Sequence, residues 1–182
     1  MRRHRAVVLA LFVFGSTHAE SPRWIYGYNP NPKSASVFAL TQSLETLQFG
    51  APFSGPQHAT LAIRYTPRDG TKVFLFIERG QFLCGPSRCT LSVRFDDASA
   101  VAFDALQSPD GSRTRLYLQP VGEFLRSLRD SRRVMIEASF YLTAFQSGSR
   151  YLTFGGPEGD QRVVRLLNCV ETGCGAPASG TL

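Results

Sequence analysis

The sequence predicts a mainly β protein: a single-domain antiparallel β-sandwich with one short helix at about residues 121–131. Three observations carry that prediction. Short segments in which apolar and polar residues alternate recur along the chain, as they do in sandwiches and barrels. Fourteen Phe, six Tyr and a charged fraction of only 19% favour strands over helices. One segment alone, near 121–131, spaces its apolar residues for a helical face.

The chain opens with MRRHR, a cationic start, followed by nine unbroken apolar residues at 6–14 and then GSTHA. This is the layout of a secretory signal peptide, with Thr17 and Ala19 as the small residues and cleavage expected after Ala19. A bilayer span needs roughly 18 to 20 apolar residues, so this segment is too short to cross. No cysteine stands near the junction to take a lipid. The expected organisation is therefore a signal peptide at 1–19, a β-sandwich domain at 20–168 and a cysteine-containing tail at 169–182. The expected location is the periplasm or the exterior. The sequence shows no internal repeat, linker or second core, and the domain is long enough to bury a core of its own.

Weak strands are expected at 24–28, 36–41 and 44–49. HATLAIRY follows, alternating through Ala59, Leu61, Ile63 and Tyr65, and Pro67 and Gly70 then supply a turn. TKVFLFIE is apolar on both faces, Val73, Leu75 and Ile77 against Phe74 and Phe76, which predicts a central strand covered on both sides. CTLSVRF, VAFDAL and TRLYL alternate again, through Leu91 and Val93, through Phe103 and Ala105, and through Leu116 and Leu118. Pro120 suits a helix start, and Val121, Phe124, Leu125 and Leu128 share one face of the helix behind it. VMIEASFYL returns to a strand with Val134, Ile136, Ala138 and Phe140 on one side. Weaker strands are expected at 151–154 and 162–167, and the C-terminal GAPASGTL is turn-rich.

The whole chain carries a net charge of +6, but Arg2, Arg3 and Arg5 leave with the signal, so the mature chain holds 17 basic residues against 14 acidic ones, or +3. That mild excess lacks the concentrated basic stripe of a nucleic-acid binder, and no nucleic-acid partner is expected. After processing, His58 is the sole histidine.

The four cysteines fall in two Cys-x4-Cys pairs, Cys84 with Cys89 and Cys169 with Cys174. Zinc knuckles usually use Cys-x2-Cys, although spacings up to four occur. Redox pairs usually show Cys-x-x-Cys near a βαβ pattern. Export favours disulfides over either. Of the three possible connectivities, local pairing is the expectation, with Cys84 and Cys89 clipping a hairpin across the Gly-Pro turn. So small a loop contributes about 2 kcal/mol on the chain-entropy model. Crossed pairing would enclose a longer loop and stabilise more. No metal and no cofactor are expected.

Other chemistry is sparse. His58 is the only imidazole available as a base, and its ordinary fate is a partly exposed strand-end residue. Asp96 and Asp97 are adjacent on a predicted strand, so their side chains point apart, and a solvated turn suits them better than a calcium loop. No catalytic residue is assigned. Arg126, Arg129, Arg132 and Arg133 cluster at the end of the predicted helix, where positive charge complements the helix dipole. They also form a candidate partner surface for another envelope protein or an anionic envelope surface. Trp24, Tyr26 and Tyr28 alternate as in an outer strand covering the core.

The pattern from His58 to about Phe140, with Gln81, Cys84, Cys89, Arg94, Phe95, Asp96 and Asp97 at its centre, resembles a family of small exported proteins from Gram-negative bacteria. More distantly it is similar to accessory proteins associated with type VI secretion. The resemblance implies no catalytic residues, and the C-terminal cysteine pair is not part of it. The expected function is an exported, non-catalytic envelope accessory or binding protein. The alternative is a secreted or periplasmic inhibitor or immunity-type protein acting through the stapled GPSR loop, which loses little entropy on docking.

Overall fold

Period-two alternation turns one face of each strand inward, and backbone pairing along the strand flanks joins the strands into one sheet. The computed structural model describes residues 23–31, 35–85, 88–158 and 160–172. The strands are β1 (Ile25–Asn29), β2 (Ser36–Phe49), β3 (Gly55–Thr66), β4 (Gly70–Phe76), β5 (Gln81–Phe82), β6 (Arg88–Phe95), β7 (Val101–Gln107), β8 (Arg115–Gln119), β9 (Arg133–Tyr141) and β10 (Ser147–Gly155). Helix α1 (Val121–Arg129) joins β8 to β9, and α2 (Gln161–Thr172) follows β10. All ten strands belong to one antiparallel sheet in the order β1-β2-β3-β4-β8-β7-β6-β9-β10, with β5 also paired to β9. The protein is mainly β, as the alternation predicts.

The sheet curls until its ends meet. The first half of β2 pairs with β1, from Ser36 opposite Asn29 to Leu40 opposite Ile25. Beyond an irregularity between Gln42 and Thr46, the second half turns its free flank toward β10. There the Thr153 N–H donates to the Glu45 carboxylate at 2.6 Å. The Gly50 N–H donates to the Leu142 carbonyl at 2.8 Å, and the Trp24 indole donates to the Gly155 carbonyl at 3.0 Å. The opposite walls of this curled sheet enclose one core. The segments expected as separate strands at 36–41 and 44–49 are thus one strand with a bulge.

The inward residues are those the alternation selects: Ala59, Leu61 and Ile63 on β3, Val73 and Leu75 on β4, and Val134, Ile136, Ala138 and Phe140 on β9 are all buried. Helix α1 adds Phe124, whose ring meets those of Phe95 and Phe103 edge-on at 5.5 Å each. Each fully buried side chain of this size contributes about 1.5–3 kcal/mol of transfer free energy.

The structure corrects three expectations. Residues 162–167 are not a strand but part of α2, whose Val163, Leu166 and Leu167 are buried at i, i+3 and i+4. Asp160 caps it, accepting the Arg162 and Val163 N–H groups on one carboxylate oxygen. Burial opposes ionisation of Asp160, but hydrogen bonds from the Arg162 side chain and from those two backbone groups outweigh it and hold the carboxyl below its usual range. The helix continues through Cys169, so the boundary expected at that residue falls inside α2. The Cys169 side chain, Cys174 and the signal segment at 1–19 lie outside the described residues.

The second correction concerns the hairpin. Cys84 and Cys89 are joined, with Cα atoms 5.0 Å apart. They do not link two strands paired with each other. Gln81 and Phe82 pair with Tyr141 and Phe140, the Leu83 N–H donates to the Ser139 carbonyl, and Ser92 then resumes opposite Glu137. Strands β5 and β6 therefore occupy one interrupted lane along β9, and the disulfide staples the excursion that leaves it. The third correction is β4, whose outer residues Phe74 and Phe76 are not buried beneath a second layer of protein. That exposure creates the site described next.

Candidate functional site: a cation–aromatic face

Residues in register on neighbouring strands share a face of the sheet. On the outer face, Leu40 stands opposite Ala62, Ala62 opposite Phe74, Phe74 opposite Tyr117, and Tyr117 opposite Leu106. Ala62 is buried at 3% exposure, so the exposed apolar lane runs from Phe74 through Tyr117 to Leu106 across β4, β8 and β7, about 10 Å at the usual strand spacing of about 4.8 Å. The Phe74 and Tyr117 rings pack at 5.7 Å, and Phe76 lies 6.1 Å from Phe74.

Cations flank the lane on both sides. Arg64 and Lys72 pair with each other one row to one side, and Arg115 pairs with Phe76 one row to the other. The guanidinium carbons of Arg64 and Arg115 lie 5.9 and 5.4 Å from the Phe74 ring centre, approaching from the strands on either side of β4. Lys72 Nζ is 5.9 Å from the Tyr117 ring centre. Contacts of this kind contribute about 0.5–1 kcal/mol at exposed sites, enough to fix a cation without neutralising it. Among the described residues none of the three makes an ion pair, and the buried Nε of Arg115 has no hydrogen-bond partner. Arg115 also favours the ionised form of Asp110. Its carboxyl is held below the usual range first by the Ser112 N–H and the Ser108 side chain, against a small burial penalty.

No protein-family model, curated protein or solved structure matches the chain. The assignment of this face therefore rests on its geometry.

The residues singled out from sequence are placed elsewhere. Asp96 and Asp97 meet Arg132 and Arg133 around an open surface cavity of about 430 Å³. Asp96 stands at φ 49°, in the left-handed region that Asp tolerates. One of its carboxylate oxygens accepts the N–H groups of both Arg132 and Arg133 at 2.9 Å, and its own N–H donates to the Arg133 carbonyl. Asp97 pairs with the Arg133 guanidinium at 3.0 Å, and Glu158 pairs with Arg132 at 3.4 Å. Arg126 is exposed and Arg129 half-buried in the last turn of α1. The four arginines thus divide, two toward the helix dipole and two into local ion pairs.

His58 lies opposite Thr46 on β3, and its Nδ1 is 2.7 Å from the Ser43 carbonyl. A carbonyl only accepts, so that nitrogen carries the proton. The Ser43 hydroxyl is itself committed, donating to the Glu45 carbonyl within the β2 bulge and accepting from the Ala59 N–H on β3. Trp24 is buried, whereas Tyr28 is 46% exposed on the edge strand. Among the described residues no group of three His, Cys, Asp or Glu could hold a metal ion, and no helix is long and apolar enough to cross a membrane.

Sequence reasoning missed Arg64, Lys72, Phe74, Phe76, Arg115 and Tyr117 as a group. The signal was present as Lys72-x-Phe74-x-Phe76 and Arg115-x-Tyr117, two runs that put cation and aromatic on the same side of a strand.

Proposed function

We propose that this chain is an exported, non-catalytic binding protein of the cell envelope, and that it holds an anionic partner against the outer face of β3, β4 and β8. One observation carries the reading: three cations are held there by aromatic rings, with no carboxylate among the described residues paired to any of them. The leader at 1–19, with its cationic start and short apolar run, supports export. The test fractionates cells that produce the full chain. Mature protein beginning at Glu20 is expected in the periplasmic or envelope fraction. A variant with Arg64→Glu, Lys72→Glu and Arg115→Glu is expected to fold but to lose its envelope partners on co-purification. Recovery of the same partners by that variant would remove this face from the account.

A second reading, an inhibitor or immunity-type protein, draws on the stapled excursion between β5 and β6, where Gln107 also donates to the Gly85 carbonyl. Deleting the GPSR segment should abolish inhibition of a target enzyme and leave envelope retention unchanged.

A further inference from the structure

We infer that the partner held on this face is a linear acidic saccharide, a chain of sugar rings bearing carboxylate, phosphate or sulfate groups. This rests on the binding role proposed above and adds the chemistry of the occupant. The exposed lane from Phe74 through Tyr117 to Leu106 is apolar and runs across the strands. Its span of about 10 Å suits about two linked sugar rings laid end to end. Sugar rings offer C–H groups to such a surface and anionic substituents at their edges. The edges of the lane are where the cations stand, Arg64 and Lys72 on one side and Arg115 on the other.

Rival occupants fit less well. Single-stranded nucleic acids stack successive bases on separate aromatic rings. Here the Phe74 and Tyr117 rings instead pack against each other at 5.7 Å. Acyl chains require an apolar group projecting from the surface to insert. Phe74, Phe76 and Tyr117 are instead partly buried among the flanking cations. An aromatic partner also holds each cation in place beforehand, so less ordering entropy is lost when an anion arrives.

The test measures binding of the purified mature protein to alginate, a linear carboxylated saccharide, and to dextran sulfate, with neutral dextran and a single-stranded oligonucleotide for comparison. At least one acidic saccharide should bind, weakening as salt is raised. Neutral dextran should not bind. Lys72→Glu and Arg115→Glu should each weaken binding about tenfold, the size of one charge-assisted hydrogen bond. Tyr117→Ala should weaken binding while leaving its salt dependence unchanged, because it shortens the lane without removing a charge. Tighter binding of the oligonucleotide than of either acidic saccharide would overturn the inference, as would binding unaffected by Lys72→Glu and Arg115→Glu. If neither acidic saccharide binds while the triple charge reversal still abolishes envelope retention, the saccharide is wrong and the binding face stands.

Discussion

Two regions of this molecule gather cations on strands, and they treat them in opposite ways. At the junction of α1 and β9, Arg132 and Arg133 meet carboxylates at 3.4 and 3.0 Å. Across β3, β4 and β8, Arg64, Lys72 and Arg115 rest on Phe74 and Tyr117 with no acid among the described residues paired to them. Both arrangements fix the side chains, but only the first cancels their charge. Density of arginine along the chain is therefore a poor guide to where charge is available: the denser cluster, around residues 126–133, is the one partly neutralised. The α1–β9 junction has a further task, since the end of β6 and the end of β10 are both fastened to it by its backbone. If this contrast holds, changes at the junction cost stability and changes on the face cost binding.

The largest effect is expected at Gly156. Its N–H donates to the Arg132 carbonyl at 2.7 Å, and a Cβ built there would lie 1.8 Å from the Ser131 carbonyl oxygen. Backbone must move to admit it, because no flexible side-chain end is there to yield. Gly156→Ala should cost about 3 kcal/mol or more, or prevent folding altogether. Chemical denaturation of the purified variant measures this. A loss of about 1 kcal/mol or less would show that the junction is soft and that the contrast between the regions is overdrawn.

Next comes Asp96. A single carboxylate oxygen receives two backbone N–H groups, and hydrogen bonds to a charged acceptor are the stronger kind. Asp96→Ala removes the acceptor and places a residue less tolerant of left-handed backbone at φ 49°. The expected loss is about 2 kcal/mol. Asp96→Asn, which keeps an oxygen and tolerates that conformation, should restore most of it. Equal losses for Ala and Asn would mean that charge, not acceptor geometry, holds the turn.

Much of this was legible beforehand, for a reason particular residues make plain. Strand period is a local property, and Ala59, Leu61, Ile63, Leu116, Leu118 and the alternate positions of β9 are buried as their spacing requires. Helix α2 was missed although Val163, Leu166 and Leu167 sit at helical intervals behind a capping Asp160, because a short apolar run fits either period. Register was the deeper obstacle. The face exists because β4 pairs with β8, which brings Lys72 and Tyr117 together from distant parts of the chain, and alternation says nothing about which strands become neighbours. The same limit hid the lane shared by β5 and β6: the cysteine spacing allowed a disulfide, but only the pairing with β9 shows that it staples an excursion instead of a hairpin. Asp96 and Asp97 were legible as a turn, whereas their meeting with Arg132 and Arg133 required β6 to lie beside β9.

The smallest effect on stability is expected at Asp97, and it bears most directly on the contrast. Its side chain is 97% exposed and its ion pair with Arg133 lies in solvent. Exposed pairs of this kind contribute about 0–1 kcal/mol, so Asp97→Ala should unfold almost as the parent protein does. What changes is the charge: Arg133 loses its partner while the backbone clamp made by Asp96 remains. Paired with Glu158→Ala, which releases Arg132, the substitution leaves two cations at the junction without their acids but with no aromatic lane beside them. If un-neutralised charge alone made the β3–β4–β8 face a binding surface, this double variant should gain affinity for alginate comparable to that face. If the aromatic lane matters equally, it should gain only weak binding that disappears as salt is raised. The second outcome is the one expected here, since the lane gives sugar rings a surface to rest on and the junction offers them none.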